Sequence, residues 1–225
     1  GDSSGREAQG GHHHAGGHHH AGGDHYAGEH SDANDFMNET EFQGLVQRFE
    51  SDKRDQWQQP EKVMDVLGDL SDKTVADLGA GTGYFTERLA REAEKVIAID
   101  VDERFVRYLI RRKLDHNLEN VEVRLAEYSD PYLAKQEVDL LLTVNVYHHI
   151  TDRPDYFRQV RQALKEGGRL VVVDFRPDAT AEVGPPPAMR MGAEAVEAEL
   201  RKAGFQAFEV DTETLPHQYI LTARP

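Results

Sequence analysis

A short apolar run that breaks into alternating glycines limits this chain more than any other feature: Val75-Ala76-Asp77-Leu78-Gly79-Ala80-Gly81-Thr82-Gly83-Tyr84-Phe85. Val75, Ala76 and Leu78 suit a buried strand, and Phe85 and Leu89, four residues apart, suit the inward stripe of a following helix. Glycines at every second position let backbone N–H groups approach a ligand with no side chain between. A pyrophosphate-binding turn uses G-x-G-x-x-G, with its third glycine at the helix–strand contact. Here the third glycine comes one residue early, and Tyr84 stands where that pattern needs glycine.

The remaining composition narrows the classes. The 225 residues suffice for one α/β domain with an appendage. A net charge of −15, from 26 basic and 41 acidic residues, is the wrong field for a protein whose main partner is a nucleic-acid backbone. No cysteine is present, which excludes thiolate metal sites and cysteine nucleophiles. No run has the length of a transmembrane helix, and no signal-peptide apolar core occurs. The chain starts Gly1-Asp2-Ser3-Ser4-Gly5 without Met; a lipoprotein leader removed ahead of Gly1 would give envelope anchoring, and without one the cytoplasm is expected.

Residues 1–34 carry eight of the 12 histidines, including the repeat His12-His13-His14 and His18-His19-His20. So little apolar area predicts a disordered arm. Those six imidazoles are candidate ligands for Ni²⁺, Cu²⁺ or Zn²⁺, the alternative being an incidental flexible tail. Residues 35–70 read as a helical extension, one helix around Phe36, Leu45, Val46 and Phe49 and another around Val63, Met64, Val66 and Leu67, opened by Pro60. The polar stretch between them holds Trp57, the one Trp in the chain.

Beyond the glycines, Lys95 to Asp100 predicts a second strand ending in an acid at the carboxyl edge, where open α/β sheets bind ligands. Two ribose hydroxyls could donate to Asp100, with Val101 beside it, while Asp102 reads as the N-cap of a helix over 103–112 with Phe105, Leu109 and Ile110 inward. Val121–Leu125 predicts a third strand and Val138–Asn145 a central fourth, ending in Asn145-Val146-Tyr147-His148-His149. Imidazole titrates near neutrality, so either His is a candidate base; His148 is read as substrate-facing, with Tyr147 beside it, and His149 as structural. A helix from Asp152 is expected to end at Gly167-Gly168, followed by a strand over 169–175 with Asp174 at its tip and Arg176 just after. A Pro-rich loop, a helix over 193–203 and two final strands at 205–210 and 218–222 complete the pattern.

The form Asp77-x-Gly79-x-Gly81-x-Gly83, with Asp100 after it, resembles motif I and the following strand of class I S-adenosylmethionine (SAM) methyltransferases. From about Val63 to Ala223 the chain is similar to the small-molecule members, such as ubiquinone and menaquinone C-methyltransferases. The segments 49–60, 147–149 and 215–219 also resemble a group of bacterial methyltransferase-domain proteins. The resemblance implies a Rossmann-like α/β fold over 71–225: a seven-stranded sheet, mostly parallel with an antiparallel last strand, and helices on both faces. It implies SAM as cofactor, held by Asp77, Gly79, Ala80, Gly81, Gly83, Asp100, Val101 and Asn145, with Glu127 and Tyr128 at the adenine, where Glu127 replaces the usual aspartate. It implies a small-molecule methyl acceptor near Trp57, Asp174 and Arg176, and an extension that acts as a lid, with Trp57 either a lid residue beside the methyl group or an anchor that packs the extension on the domain. Two alternatives stay open: an NAD(P)-dependent oxidoreductase, and a non-enzymatic metal-binding protein using the His-rich arm on this scaffold.

Overall fold

The computed structural model describes residues 38–225; the His12–His14 and His18–His20 repeat and Phe36 lie outside the described residues. Three helices open the described chain: α1 (Glu39–Phe49), α2 (Asp52–Gln58) and α3 (Pro60–Leu67). The Asn38 side chain accepts from Glu41 N and the Ser51 side chain from Arg54 N, so α1 and α2 each have a capped start. The middle helix was not expected. Its sequence DKRDQWQ has no apolar period, and α2 forms because Ser51 caps it and tertiary packing holds its few inward side chains.

The sheet is built from β1 (Thr74–Leu78), β2 (Lys95–Asp100), β3 (Val121–Leu125), β4 (Val138–Val144), β5 (Leu164–Phe175), β6 (Gln206–Asp211) and β7 (Gln218–Arg224). Their order is β3-β2-β1-β4-β5-β7-β6, and β7 alone runs antiparallel to its neighbours. Helices α4 (Tyr84–Glu92), α5 (Glu103–Asp115), α6 (Arg153–Ala163) and α7 (Ala193–Lys202) complete the fold. Successive strand residues point to opposite faces. Accordingly Ala76, Ile97 and Leu141 pack with Phe157, Val160, Val196 and Leu200 of α6 and α7. Val75, Val96 and Leu140 pack with Val63, Leu67, Leu89 and Leu109 of α3, α4 and α5. A separate small cluster joins Phe42, Leu45, Val46 and Phe49 of α1 to Phe105 of α5. No described helix is long and apolar enough to cross a membrane.

Two local expectations need correction. Ile110 is 44% exposed, because α5 turns only Phe105 and Leu109 fully inward. Helix α6 ends at Ala163, not at the glycine pair: Leu164 already pairs with Val138, and the ladder shifts register before Arg169. Gly168 is required there for another reason, since a Cβ would lie 2.8 Å from the Asp139 carbonyl oxygen.

Candidate cofactor and acceptor site

Sheet order reverses at β1, whose neighbours are β2 and β4, and the carboxyl ends of these strands frame a cavity of about 370 Å³. Its walls include Leu78, Ile99, Ala126, Val146 and Ile150, with Asp100 and Val101 at the β2 tip and Glu127 and Tyr128 after β3. Apolar walls around a buried carboxylate suit a ligand with an apolar body and a few polar groups. Asp100 is fully buried; its Oδ2 accepts from Gly81 N at 2.9 Å, and its Oδ1 accepts from Val101 N at 2.8 Å and Asp102 N at 3.1 Å. Burial raises its pKa well above the usual carboxylate range, while those backbone donors pull the other way. Glu127 is exposed at the rim and accepts from Tyr132 Oη at 2.6 Å. His149, Thr151 and Tyr156 also line the cavity. Thr151 went unmarked in the sequence and Tyr156 read only as an inward helix residue; they reach the cavity from the turn and helix after β4.

The glycine loop differs from the expectation that its N–H groups face a ligand. Gly79 N and Ala80 N both donate to the Ile99 carbonyl, at 2.8 and 2.9 Å, and Gly83 N donates to Ala80 O. With Gly81 N held by Asp100, four donors are consumed within the fold, which leaves a poor cradle for a pyrophosphate. Gly83 has φ +88, and a Cβ there would press within 3.1 Å of Leu109 Cδ2, so its demand is packing of α4 on α5.

Beside the loop lies a second, very small cavity of about 10 Å³, lined by Arg54 of α2 together with Asp77, Gly79, Gly81, Thr82 and Tyr84. Asp77 is buried and accepts from Thr86 Oγ1 at 2.7 Å. Burial pushes its pKa up to about 6, against the Thr86 hydrogen bond and the Arg54 charge. Arg54 was missed in the sequence because a charged residue in a polar helix carries no periodic signal.

The acceptor candidates scatter more widely. His148 and Asp174 meet: Nδ1 of the ring is 2.7 Å from Asp174 Oδ2, and Asp174 Oδ1 accepts from Phe175 N. Trp57 is half-buried with its ring 5.3 Å from that of Phe175, and it lines an open groove with Arg48, Lys53 and His217. Tyr147 turns away from both cavities; its hydroxyl donates to Glu199 Oε2 at 2.7 Å and its ring packs on Phe157. Burial, with the Glu199 carboxylate next, raises the phenol pKa far out of the neutral range. Arg176 donates to the carbonyls of Thr212, Leu215 and Pro216, tying down the β6–β7 connection. Asn145 lines neither cavity: its Nδ2 donates to Gln58 Oε1 at 3.2 Å and its Oδ1 accepts from Gln218 Nε2, while Gln58 Nε2 donates to Gln218 Oε1. These three amides close a buried ring between α2, β4 and β7. Arg190 also went unmarked, yet it staples the Pro-rich loop by donating to the carbonyls of Pro185, Arg176 and Val183.

Among the described residues no cluster of three or more His, Cys, Asp or Glu could hold a metal ion. The candidate ligands His12, His13, His14, His18, His19 and His20 lie outside those residues.

A family model described as a methyltransferase domain matches residues 69–215. A probable S-adenosylmethionine-dependent methyltransferase of Mycobacterium tuberculosis is 28% identical over 138 residues, which cover 59% of this chain and 48% of that protein. A demethylmenaquinone methyltransferase of Tropheryma whipplei is 32% identical over 110 residues, covering 49% of this chain and 45% of that one. The chain thus spans about half the length of the curated relatives it matches. The crystal structure of a SAM-dependent methyltransferase from Aquifex aeolicus superposes with a TM-score of 0.74 at 25% identity, over 83% of this chain and 98% of the other. These findings lend nothing to the oxidoreductase or to the metal-binding scaffold. The matching domain, the SAM-dependent relatives and the superposed methyltransferase structure agree: the chain belongs to the class I SAM-dependent methyltransferases.

Proposed function

We propose that this protein transfers a methyl group from SAM to a small-molecule acceptor by in-line displacement. The observation that carries this reading is the cavity at the carboxyl ends of β1, β2 and β4 with the Asp100 carboxylate buried in it. Asp100 would accept from the ribose hydroxyls, and Val101, Glu127 and Tyr128 would flank the adenine. Asp77, with its raised pKa, and the carbonyls of Gly79, Ala80 and Gly81 would face the ammonium of the amino-acid tail. When bound, SAM supplies a methyl group already activated on a sulfonium, so positioning and exclusion of water account for most of what the chain must add.

His148 is the proposed base. Asp174 Oδ2, 2.7 Å from Nδ1, orients the ring, which would take the proton of an acidic O–H, N–H or C–H of the acceptor. Trp57, half-buried with its ring packed on Phe175, is the proposed aromatic contact for the acceptor, which favours a flat acceptor such as a quinol or phenol. The demethylmenaquinone methyltransferase among the relatives agrees with that class. Tyr147 is assigned to packing, and Arg176 to the scaffold of the acceptor side. The cytoplasm is the proposed compartment because SAM is made there.

Calorimetric titration of the full chain with S-adenosylhomocysteine, with NADH as control, tests the cofactor. Micromolar binding of the first alone, about −8 kcal/mol, is expected. Binding of NADH alone would sink the reading.

A further inference from the structure

A groove of about 740 Å³ runs between the N-terminal extension and the loops that follow β5 and β6, a size in the range of small-molecule sites. It is lined by Arg48 of α1 and Lys53 and Trp57 of α2, together with Glu182 and Gly184 of the Pro-rich loop and His217 ahead of β7. Both sides are held in place. The buried amides of Gln58, Asn145 and Gln218 tie α2 to β4 and β7, and on the loop side Arg190 donates to the Val183 carbonyl and Arg176 to that of Pro216. Gly184 has φ +87, and a Cβ there would lie 2.7 Å from the Phe175 ring, so that ring packs directly on the loop backbone as well as on Trp57. Phe175 ends β5 next to Asp174, whose carboxylate meets His148.

The charge along this groove runs against that of the chain. The net charge is −15, yet the lining has two cations, Arg48 and Lys53, against the single acid Glu182. Neither cationic side chain has a hydrogen bond or ion pair among the described residues. Burial lowers the His217 pKa against the pull of Glu182, with Arg176 and Arg190 adding to the fall, so near pH 7 its imidazole brings a polar edge without charge. A guanidinium and an ammonium take a carboxylate through charge-assisted hydrogen bonds, and an indole takes a flat ring. A neutral ring would gain only the second contact.

We propose that this groove receives the methyl acceptor and that the acceptor is a planar aromatic acid, its ring against Trp57 and its carboxylate on Arg48 and Lys53. This rests on the acceptor role given to Trp57 above and narrows the acceptor class to flat molecules that carry an anion. The two cations also draw such a molecule toward a chain whose overall field repels it.

The test is titration of the full chain with benzoate and with benzamide, an uncharged molecule of nearly the same shape, followed by the emission of Trp57, the one Trp in the chain. Calorimetry with S-adenosylhomocysteine runs alongside. Benzoate should quench the emission and bind about tenfold more tightly than benzamide, and Arg48→Ala and Lys53→Ala, both at exposed positions, should each weaken benzoate by about threefold. The double variant should lose the preference, while benzamide and S-adenosylhomocysteine change less than about twofold in every variant. No response to benzoate, equal affinity for the two probes in the unaltered chain, or a preference that survives in the double variant overturns the assignment. Where S-adenosylhomocysteine still binds, such a result leaves the cofactor reading standing and removes only the acceptor class. If S-adenosylhomocysteine does not bind the unaltered chain, the SAM reading fails and takes the acceptor role of the groove with it, whatever benzoate does.

Discussion

Asp77 is a buried carboxylate beside the glycine loop, and its stability cost has a definite sign. Its pKa is near 6 in the folded chain against 3.8 when exposed, so the folded state favours the protonated form. The associated stability is complete below about pH 4 and is lost as pH rises through about 6, a span worth about 3 kcal/mol. Asp77→Asn keeps an acceptor for Thr86 and removes the ionisation. Its stability advantage in urea unfolding should therefore grow between pH 4 and 6 and stay level above; a difference flat across that range would refute the assignment. Asp100→Asn and His148→Gln separate binding from turnover. The first should weaken S-adenosylhomocysteine strongly, by about 2 kcal/mol or more if charged hydrogen bonds to the ribose are lost. The second should hold affinity within a few-fold and lower kcat by about 10²-fold or more. Equal loss of affinity in both would remove His148 from the acceptor side. The placement of Asp77, Asp100 and His148 at or just beyond strand ends was legible because strand–acid and strand–glycine junctions carry pattern. Arg54, Gln58 and Gln218 were not, since an amide or guanidinium drawn inward from a polar stretch looks like any surface residue.

At the level of elements, α2 is the piece that sequence reading could not supply. Its seven residues contain no apolar stripe, and its inward anchors are Arg54 and Gln58, with Trp57 half-buried against Phe175. The buried amide ring of Gln58, Asn145 and Gln218 locks α2 to the tips of β4 and β7, and it also holds Asn145 at φ +63. Removing one member strands the others without water, a cost of about 1–3 kcal/mol. Gln58→Leu and Gln218→Leu should each show that loss in denaturant, and the double variant should lose less than the sum, because the second change removes groups already orphaned. Additive losses would mean the ring is not one unit. Trp57, the single Trp, follows three residues after Arg54. S-adenosylhomocysteine should shift its emission; an unchanged spectrum at saturation would show that α2 does not respond to the bound cofactor. Helix α6 was misjudged for a related reason: the Gly167-Gly168 pair looks like a helix stop, but the chain has already turned extended at Leu164 to pair with Val138.

For the molecule as a whole, most of the architecture was readable, since β1, β2, β4 and β5 are nearly continuous apolar runs and only a doubly covered parallel sheet needs such strands. The closing hairpin was also readable from its two short runs. What escaped was the pair of unequal cavities at the strand tips, because the smaller is lined by Phe49 and Arg54 of the N-terminal extension together with Asp77 of β1, a meeting of distant segments that carries no pattern of its own. The position of β7 has a consequence for how the chain is made. Gln218–Arg224 is the last strand in sequence, yet it lies inside the sheet, between β5 and β6. On a ribosome, the apolar edge of β5 therefore stays bare until the final strand emerges, and β6 has nothing to pair with. Chains halted after Thr214 should be captured by chaperones or aggregate, whereas chains that include β7 close the seam.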